Sequence, residues 1–342
     1  MSESILNAFR LGELHWPTLD PFLFCAHHVD AYPSGNADQG VDRAALRGRS
    51  LGSDFVARDG WRMYHGEIVP GFPQHPHRGF ETVTLARSGF VDHSDSLGAT
   101  ARFGEGDIQW MTAGAGIQHA EMFPLIQQDA DNPAELFQLW LNLPAKHKMV
   151  EPHFAMHWSE DQPRIQVVDE EGPNTEILVA AGELAGQKGA APPPYSWASD
   201  PLNEVAIWSL RMDAGARYTL PAAGAGLNRV LYFFSGKSLK VDGKKMPVMV
   251  GLQLRSDAAV ELRNGTEDAE LLMLQGRPIG EPVAQHGPFV MNTRAELQQA
   301  VADYRSTHFG GWPWSRADPV HTRDKGRFAV HADGTMERPG ES

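Results

Sequence analysis

Short apolar runs and apolar–polar alternation, cut at intervals by Gly and Pro, dominate the chain, which is the pattern of strands in a sandwich or barrel. In the first half the pattern predicts strands at Asp20–Ala26, Arg62–Ile68, Glu81–Arg87, Ile108–Met111 and Leu136–Leu143. The second half repeats the style at Val205–Met212, Arg229–Ser235, Ser238–Val241, Gln253–Leu254, Ala259–Arg263 and Ala269–Leu274. Two β domains in series follow. Helical spacing emerges only near the end, where Leu297, Val301 and Tyr304 recur at four and three residues within Arg294–Arg305. Thr293 as N-cap with Glu296 three residues on completes a capping box, so one amphipathic helix is expected there.

A length of 342 residues suits two domains better than one core. The expected division is 1–150, 151–310 including the helix, and an extended or disordered polar tail over 311–342. Between the first two lie DEEGP at Asp169–Pro173 and AAPPP at Ala190–Pro194, where proline removes ladder donors and argues against a central strand. Apolar residues at 42% provide for packed interiors, while a net charge of −13 argues against attraction to phosphate backbones or anionic lipid. No direct nucleic-acid binding is expected. The single cysteine, Cys25, cannot form an intramolecular disulfide and reads as a small buried hydrophobe. With no signal-peptide run at the start and no stretch of ~18 apolar residues, the expectation is a cytoplasmic protein without a membrane span. Closed barrels leave few free sheet edges, so a monomer is expected.

The fifteen histidines are unevenly spread, and none lies between His157 and His286. The predicted second domain therefore has no imidazole for a metal. In the first, His75-Pro76-His77 places two imidazoles at i and i+2 of an extended segment, on one side of the chain. His119-Ala120-Glu121 repeats that geometry with a carboxylate. One His-x-His pair is weak evidence, but two such pairs in one barrel can give three nitrogens and one oxygen to a single ion. That donor set, with room for further ligands, suits iron(II) or another octahedral first-row metal better than a closed zinc site.

The surrounding segments carry a family resemblance. FPQHPHRGF at Phe72–Phe80 runs into Glu81-Thr82-Val83, and GDIQWMTAG at 106–114 is followed by GIQHAEM at 116–122. DPFLF at Asp20–Phe24, QLW at Gln138–Trp140, MVEP at Met149–Pro152 and GEPVAQHGPFVMNT at Gly280–Thr293 agree. Together they make the chain resemble the pirin family from about residue 20 to about residue 310. The resemblance implies an all-β bicupin, two tandem β-barrel (cupin, jelly-roll) domains with a short C-terminal helix, in which only the first barrel binds metal. It maps the metal ligands onto His75, His77, His119 and Glu121. The ion it implies is iron, replaceable on purification by nickel, copper, zinc or manganese.

Two functions are implied. One is a quercetin 2,3-dioxygenase-type oxygenase acting on a flavonol or similar small chelating aromatic, with Glu121 as catalytic base. The other is an iron-dependent, redox-sensitive regulator of a partner protein, whether a transcriptional coregulator or a metabolic-enzyme modulator. The chain departs from the pattern in roughly thirty extra residues within 31–70 and in the tail after 311. Glu81 is a rival ligand if strand parity holds through Gly79. Arg78 is expected in a salt bridge on the wall, and His93, Asp95 and Ser96 in a polar turn. His27 and His28 should face opposite ways, His65 is a candidate neighbour of the site, and Trp110 and Met111 are expected to pack beside it.

Overall fold

The computed structural model describes residues 4–169 and 172–341; Glu170 and Glu171 of the DEEGP segment lie outside the described residues. The chain forms two compact units, and neither is a contiguous stretch. One comprises His27–Leu139, Ala145–Glu160 and Glu281–Ser342; the other comprises Met1–Ala26, Trp140–Pro144 and Asp161–Gly280. A contiguous division near residue 150 misses this. The first strand, Ile5–Arg10, pairs antiparallel with Val250–Leu254 of the later barrel, while the helix and the tail belong to the earlier one.

Each unit is a two-sheet β structure of the cupin type. In the earlier barrel one sheet includes, in this order, His153–His157, Ile108–Thr112, Phe80–Ser88, Asn132–Asn142 and Phe22–Tyr32. The facing sheet runs Met336–Glu337, Phe328–Val330, Thr100–Gly104, Phe90–Asp95, Ile117–Met122, Gly71–His77. Because side chains alternate across a strand and directly paired residues share a face, register fixes what lines the interior. Thr84 pairs with Gln109 and Thr82 with Met111 on the first sheet. On the second, His93 pairs with Glu121 and Asp95 with His119.

Two sequence expectations change here. Arg62–Ile68 is not a strand: only isolated bridges join Tyr64 to Asp54 and Gly71, and the segment is held by side chains. Tyr64 donates to buried Asp30 at 2.6 Å and Arg62 pairs with the same carboxylate at 3.2 Å. Conversely, Phe90–Asp95 is a buried strand, which places His93 in the sheet and leaves the polar turn to begin at Ser96. Asp92 can sit inside because Arg102 grips both its oxygens at 2.7 Å, the bidentate geometry that offsets desolvation best.

The segment after residue 311 is an extended strap. Phe328–Val330 adds to Thr100–Gly104 and Arg102 also donates to the carbonyls of Thr322 and Lys325 at 2.9 Å. The helix spans Arg294–Thr307 with the expected capping box, Glu296 N–H to Thr293 at 3.2 Å and Thr293 N–H to Glu296 at 2.8 Å. Its Leu297, Val301 and Tyr304 pack with Phe289, Ala300 and Phe309. No described helix is long and apolar enough to cross a membrane.

In the later barrel a seven-stranded sheet, ordered Ile5–Arg10, Val250–Leu254, Asn228–Ser235, Ala269–Gly276, Ala206–Met212, Asn174–Ala181, Arg164–Val168, accompanies a four-stranded one. Its interior is almost wholly apolar, with Ile177, Leu210, Leu231, Phe233, Leu252 and Leu262 at 0–1% exposure. Through its N-terminal segment this unit holds one histidine, the exposed His15.

Candidate metal centre

Strands Gly71–His77 and Ile117–Met122 run side by side and set His75 directly opposite His119. A register shift between Phe72 and His75 acts as a bulge, letting both residues share the inward face although they are three apart. The result brings His75, His77 and His119 together: one nitrogen from each lies within 4.8 Å of the others. Ring centroids are 4.4 Å apart for His75–His119, 4.7 Å for His75–His77 and 4.9 Å for His77–His119.

Second partners orient the rings. His75 Nδ1 donates to the Pro73 carbonyl at 2.8 Å, so that tautomer leaves its Nε2 lone pair free. His77 bonds the Pro288 carbonyl; proline has no N–H, so the imidazole is the donor. His119 is fully buried, and neither of its ring nitrogens has a hydrogen-bond partner among the described residues. Burying imidazole without partners is costly, and a ligand-binding role accounts for it. Burial holds His75 down to about pKa 4, and burial with the neighbouring imidazoles depresses His77 and His119 well below the ordinary value. All three are therefore neutral near pH 7, the state in which imidazole binds metal.

Glu121 stands beside this cluster, Oε2 lying 3.8 Å from His119 Nε2. Burial raises its carboxyl pKa, opposed by nearby His93 and by a hydrogen bond from Thr84. Thr84 Oγ1 lies 3.1 Å from Glu121 Oε1 and 2.7 Å from the Gln138 amide. One hydroxyl hydrogen cannot serve two acceptors. The chain closes if Gln138 turns its NH2 towards Thr84, which then donates to the carboxylate.

Glu81 is not brought to the cluster. Gly79, at φ +86 with Val290 O only 2.0 Å from where a Cβ would sit, turns the chain into a new strand, and parity does not carry across. Glu81 accepts from Thr112 at 2.7 Å and, three residues from Thr84, faces the opposite way. Arg78 forms the expected ion pair, but with the helix residue Asp303 at 2.7 Å. Met111 packs with Ala113 and Ile117; Trp110 is buried on the other face. His27 pairs with Glu135 at 2.8 Å and His28 lies edge-on to Tyr64 and Phe72. Asp95 does hold a turn, accepting from the Leu97 and Ala99 amides.

Sequence reasoning missed His93, Thr84, Gln138 and Phe55. His93 is fully buried, stacked on Phe154 at 5.0 Å, its ring 5.5 Å from that of His119. Its i/i+2 relation to Asp95, opposite Glu121 and His119, was the available signal. The extra residues within 31–70 reach this region: Phe55 and Tyr64 lie 6.3 and 5.1 Å from Phe72, which in turn is 6.3 Å from His75. His65, exposed and bonded to Gly52 O at 2.7 Å, stands edge-on to Phe72.

Stability should follow the depressed imidazoles. With His75 near 4 when folded and 6.5 unfolded, the unfolded chain takes up more protons between those values. Stability is then full above pH 6.5 and falls as pH drops towards 4. A melting temperature of chelator-treated protein that declines over this window is expected, and a flat profile would contradict the buried, neutral cluster.

Three converging neutral imidazoles with an adjacent carboxylate fit a first-row metal ion. Two cupin barrels with such a cluster in one define a bicupin with a candidate metal centre. Sequence comparison agrees. The family profile described as Pirin matches residues 10–141, and that described as Pirin C-terminal cupin domain matches residues 207–310. A Pseudomonas aeruginosa protein named "Putative quercetin 2,3-dioxygenase" is 37% identical, with 70% of this chain and 79% of that one covered. Human pirin is 35% identical, with 72% and 80% covered. The crystal structure of quercetin 2,3-dioxygenase from Acinetobacter baumannii superposes with a TM-score of 0.71 at 28% identity, covering 91% of this chain and 99% of that one. The chain belongs to the pirin family.

Proposed function

We propose that the earlier barrel is a mononuclear iron site held by His75, His77, His119 and Glu121, and that it catalyses a quercetin 2,3-dioxygenase-type reaction on a flavonol or similar chelating aromatic. The observation that carries this reading is the fully buried His119, both ring nitrogens without a hydrogen-bond partner among the described residues, between two other neutral imidazoles. When bound, the ion supplies Lewis acidity and open coordination positions for a chelating substrate.

The remaining roles fall to the chain. Glu121 accepts the substrate hydroxyl proton; its raised pKa makes it a stronger base than an exposed carboxylate. Thr84, itself held by Gln138, fixes the carboxylate's direction. Phe72, backed by Phe55 and Tyr64, presents aromatic surface beside His75, suited to flat rings and to excluding water.

Oxygen uptake by iron-loaded protein given quercetin tests the proposal. Stoichiometric uptake with loss of the flavonol absorbance is expected. If no flavonol supports uptake, the oxygenase reading falls and the redox-sensitive regulator takes its place.

A further inference from the structure

The later barrel, which the metal reading leaves without a role, contains a charge that its own fold does not neutralise. Arg229 is 1% exposed. In the register Arg229 pairs with Gln275 and Gln275 with Ala206, so arginine and glutamine share the inward face with Trp208, Leu210, Leu231 and Met273. They form its last, polar rung above an otherwise apolar interior. Among the described residues, no carboxylate lies within ion-pair distance of this guanidinium. Its Nε donates to Gln275 Oε1 at 2.7 Å and its Nη1 to the Pro221 carbonyl at 2.8 Å. Three of five N–H groups remain, including both on Nη2. The acidic neighbour that favours its charge, Glu204, is engaged elsewhere: it accepts from the Gly224 amide at 2.9 Å and lies 3.6 Å from Arg277.

A second donor is idle nearby. The Trp208 indole N–H is buried with no hydrogen-bond partner among the described residues, two residues along the strand from Ala206. Both side chains line a cleft of about 590 Å³, walled by Leu184, Val205, Pro192 and Pro221. A buried charge without a counter-ion is costly, and an unmade indole hydrogen bond adds to that. The cleft exceeds what an inorganic anion fills, and its lining combines these apolar side chains with Glu183, Lys188, Asp200 and Glu204, a mixed lining that suits a small organic molecule with one charged end better than a bare ion. Planar carboxylate matches the free edge of a guanidinium.

We propose that the later barrel binds a small organic carboxylate with an apolar or aromatic body, its carboxylate on Arg229 and its body against Trp208 and the proline walls. This site is separate from the metal centre and stands whether or not the oxygenase reading does.

Titration calorimetry on the full chain with benzoate, the neutral isostere benzamide and inorganic phosphate tests it. Benzoate should bind at one site per chain, at least tenfold more tightly than benzamide or phosphate. Arg229→Met should weaken benzoate at least tenfold, while the exposed Arg211→Met should not. Binding should persist in His119→Ala, which separates this cleft from the metal. In protein with ¹⁵N-labelled tryptophan, the one indole signal lost in Trp208→Phe should shift on benzoate addition. That readout, like the benzoate–benzamide comparison, needs no folded Arg229 variant. No benzoate binding at millimolar concentration, equal binding of benzamide or phosphate, loss of binding with His119→Ala, or an unmoved Trp208 signal would each overturn the proposal.

Discussion

His119→Ala is expected to abolish stoichiometric iron binding while leaving both barrels folded. The residue is fully buried with neither ring nitrogen hydrogen-bonded among the described residues, so its removal deletes a proposed ligand without breaking a hydrogen bond of the fold. Losing a group that only orients a ligand typically costs 10–100-fold in metal affinity, and losing the ligand itself should cost more than ~100-fold by the same measure. The fold survives because stability resides in apolar packing; the ion would occupy a cavity the chain has already built. Metal analysis beside circular dichroism decides the matter. A variant with full iron content would remove His119 from the site.

Glu121→Gln carries the second large effect. An amide oxygen can still accept from Thr84 and coordinate weakly, so three imidazoles and part of the metal should remain. A general base contributes ~10²–10⁴-fold to a rate, and flavonol turnover per bound iron should fall by that order. The defect belongs in turnover rather than in metal content. Glu81→Gln is the matched control. Its amide still accepts from Thr112 on the opposite face, so it should stay near wild type. Oxygen uptake normalised to iron compares the two, and the reverse order would transfer the role to Glu81.

What could be read from the sequence depended on whether a residue's role is set by near neighbours along the chain. The pairs His75/His77 and His119/Glu121 follow from the two-residue period of extended backbone, and the capping box of Thr293 and Glu296 from helix-end geometry; neither needs knowledge of distant partners. His93 was hidden because Asp92-His93-Ser94-Asp95 is polar throughout and reads as a turn. Arg102, from the next strand, and the His321 N–H of the tail make Asp92 tolerable inside. The tail was legible only as extended or disordered, for a similar reason. Its composition is polar, but its carbonyls are held by Arg102 and by Gln39, which donates to His321 O at 2.6 Å. Side chain to backbone bonds of this kind leave no hydrophobic period to detect. Nor does any local signal join Ile5–Arg10 to Val250–Leu254, since edge-strand pairing at such separation is settled by tertiary packing.

That interleaving of the two units has a consequence for how the protein comes into being on the ribosome. The strand that completes one side of the later barrel is made long before its partner and must remain unpaired until residues 250–254 follow. The earlier barrel, although most of its strands are synthesised early, lacks its helix and strap until residues 281–342 emerge. The usual sequence in which an N-terminal domain matures while the rest is still being translated is therefore closed to this chain. Both barrels reach completion late and almost together, and a protein severed near residue 150 would consist of two pieces, each missing part of its own fold.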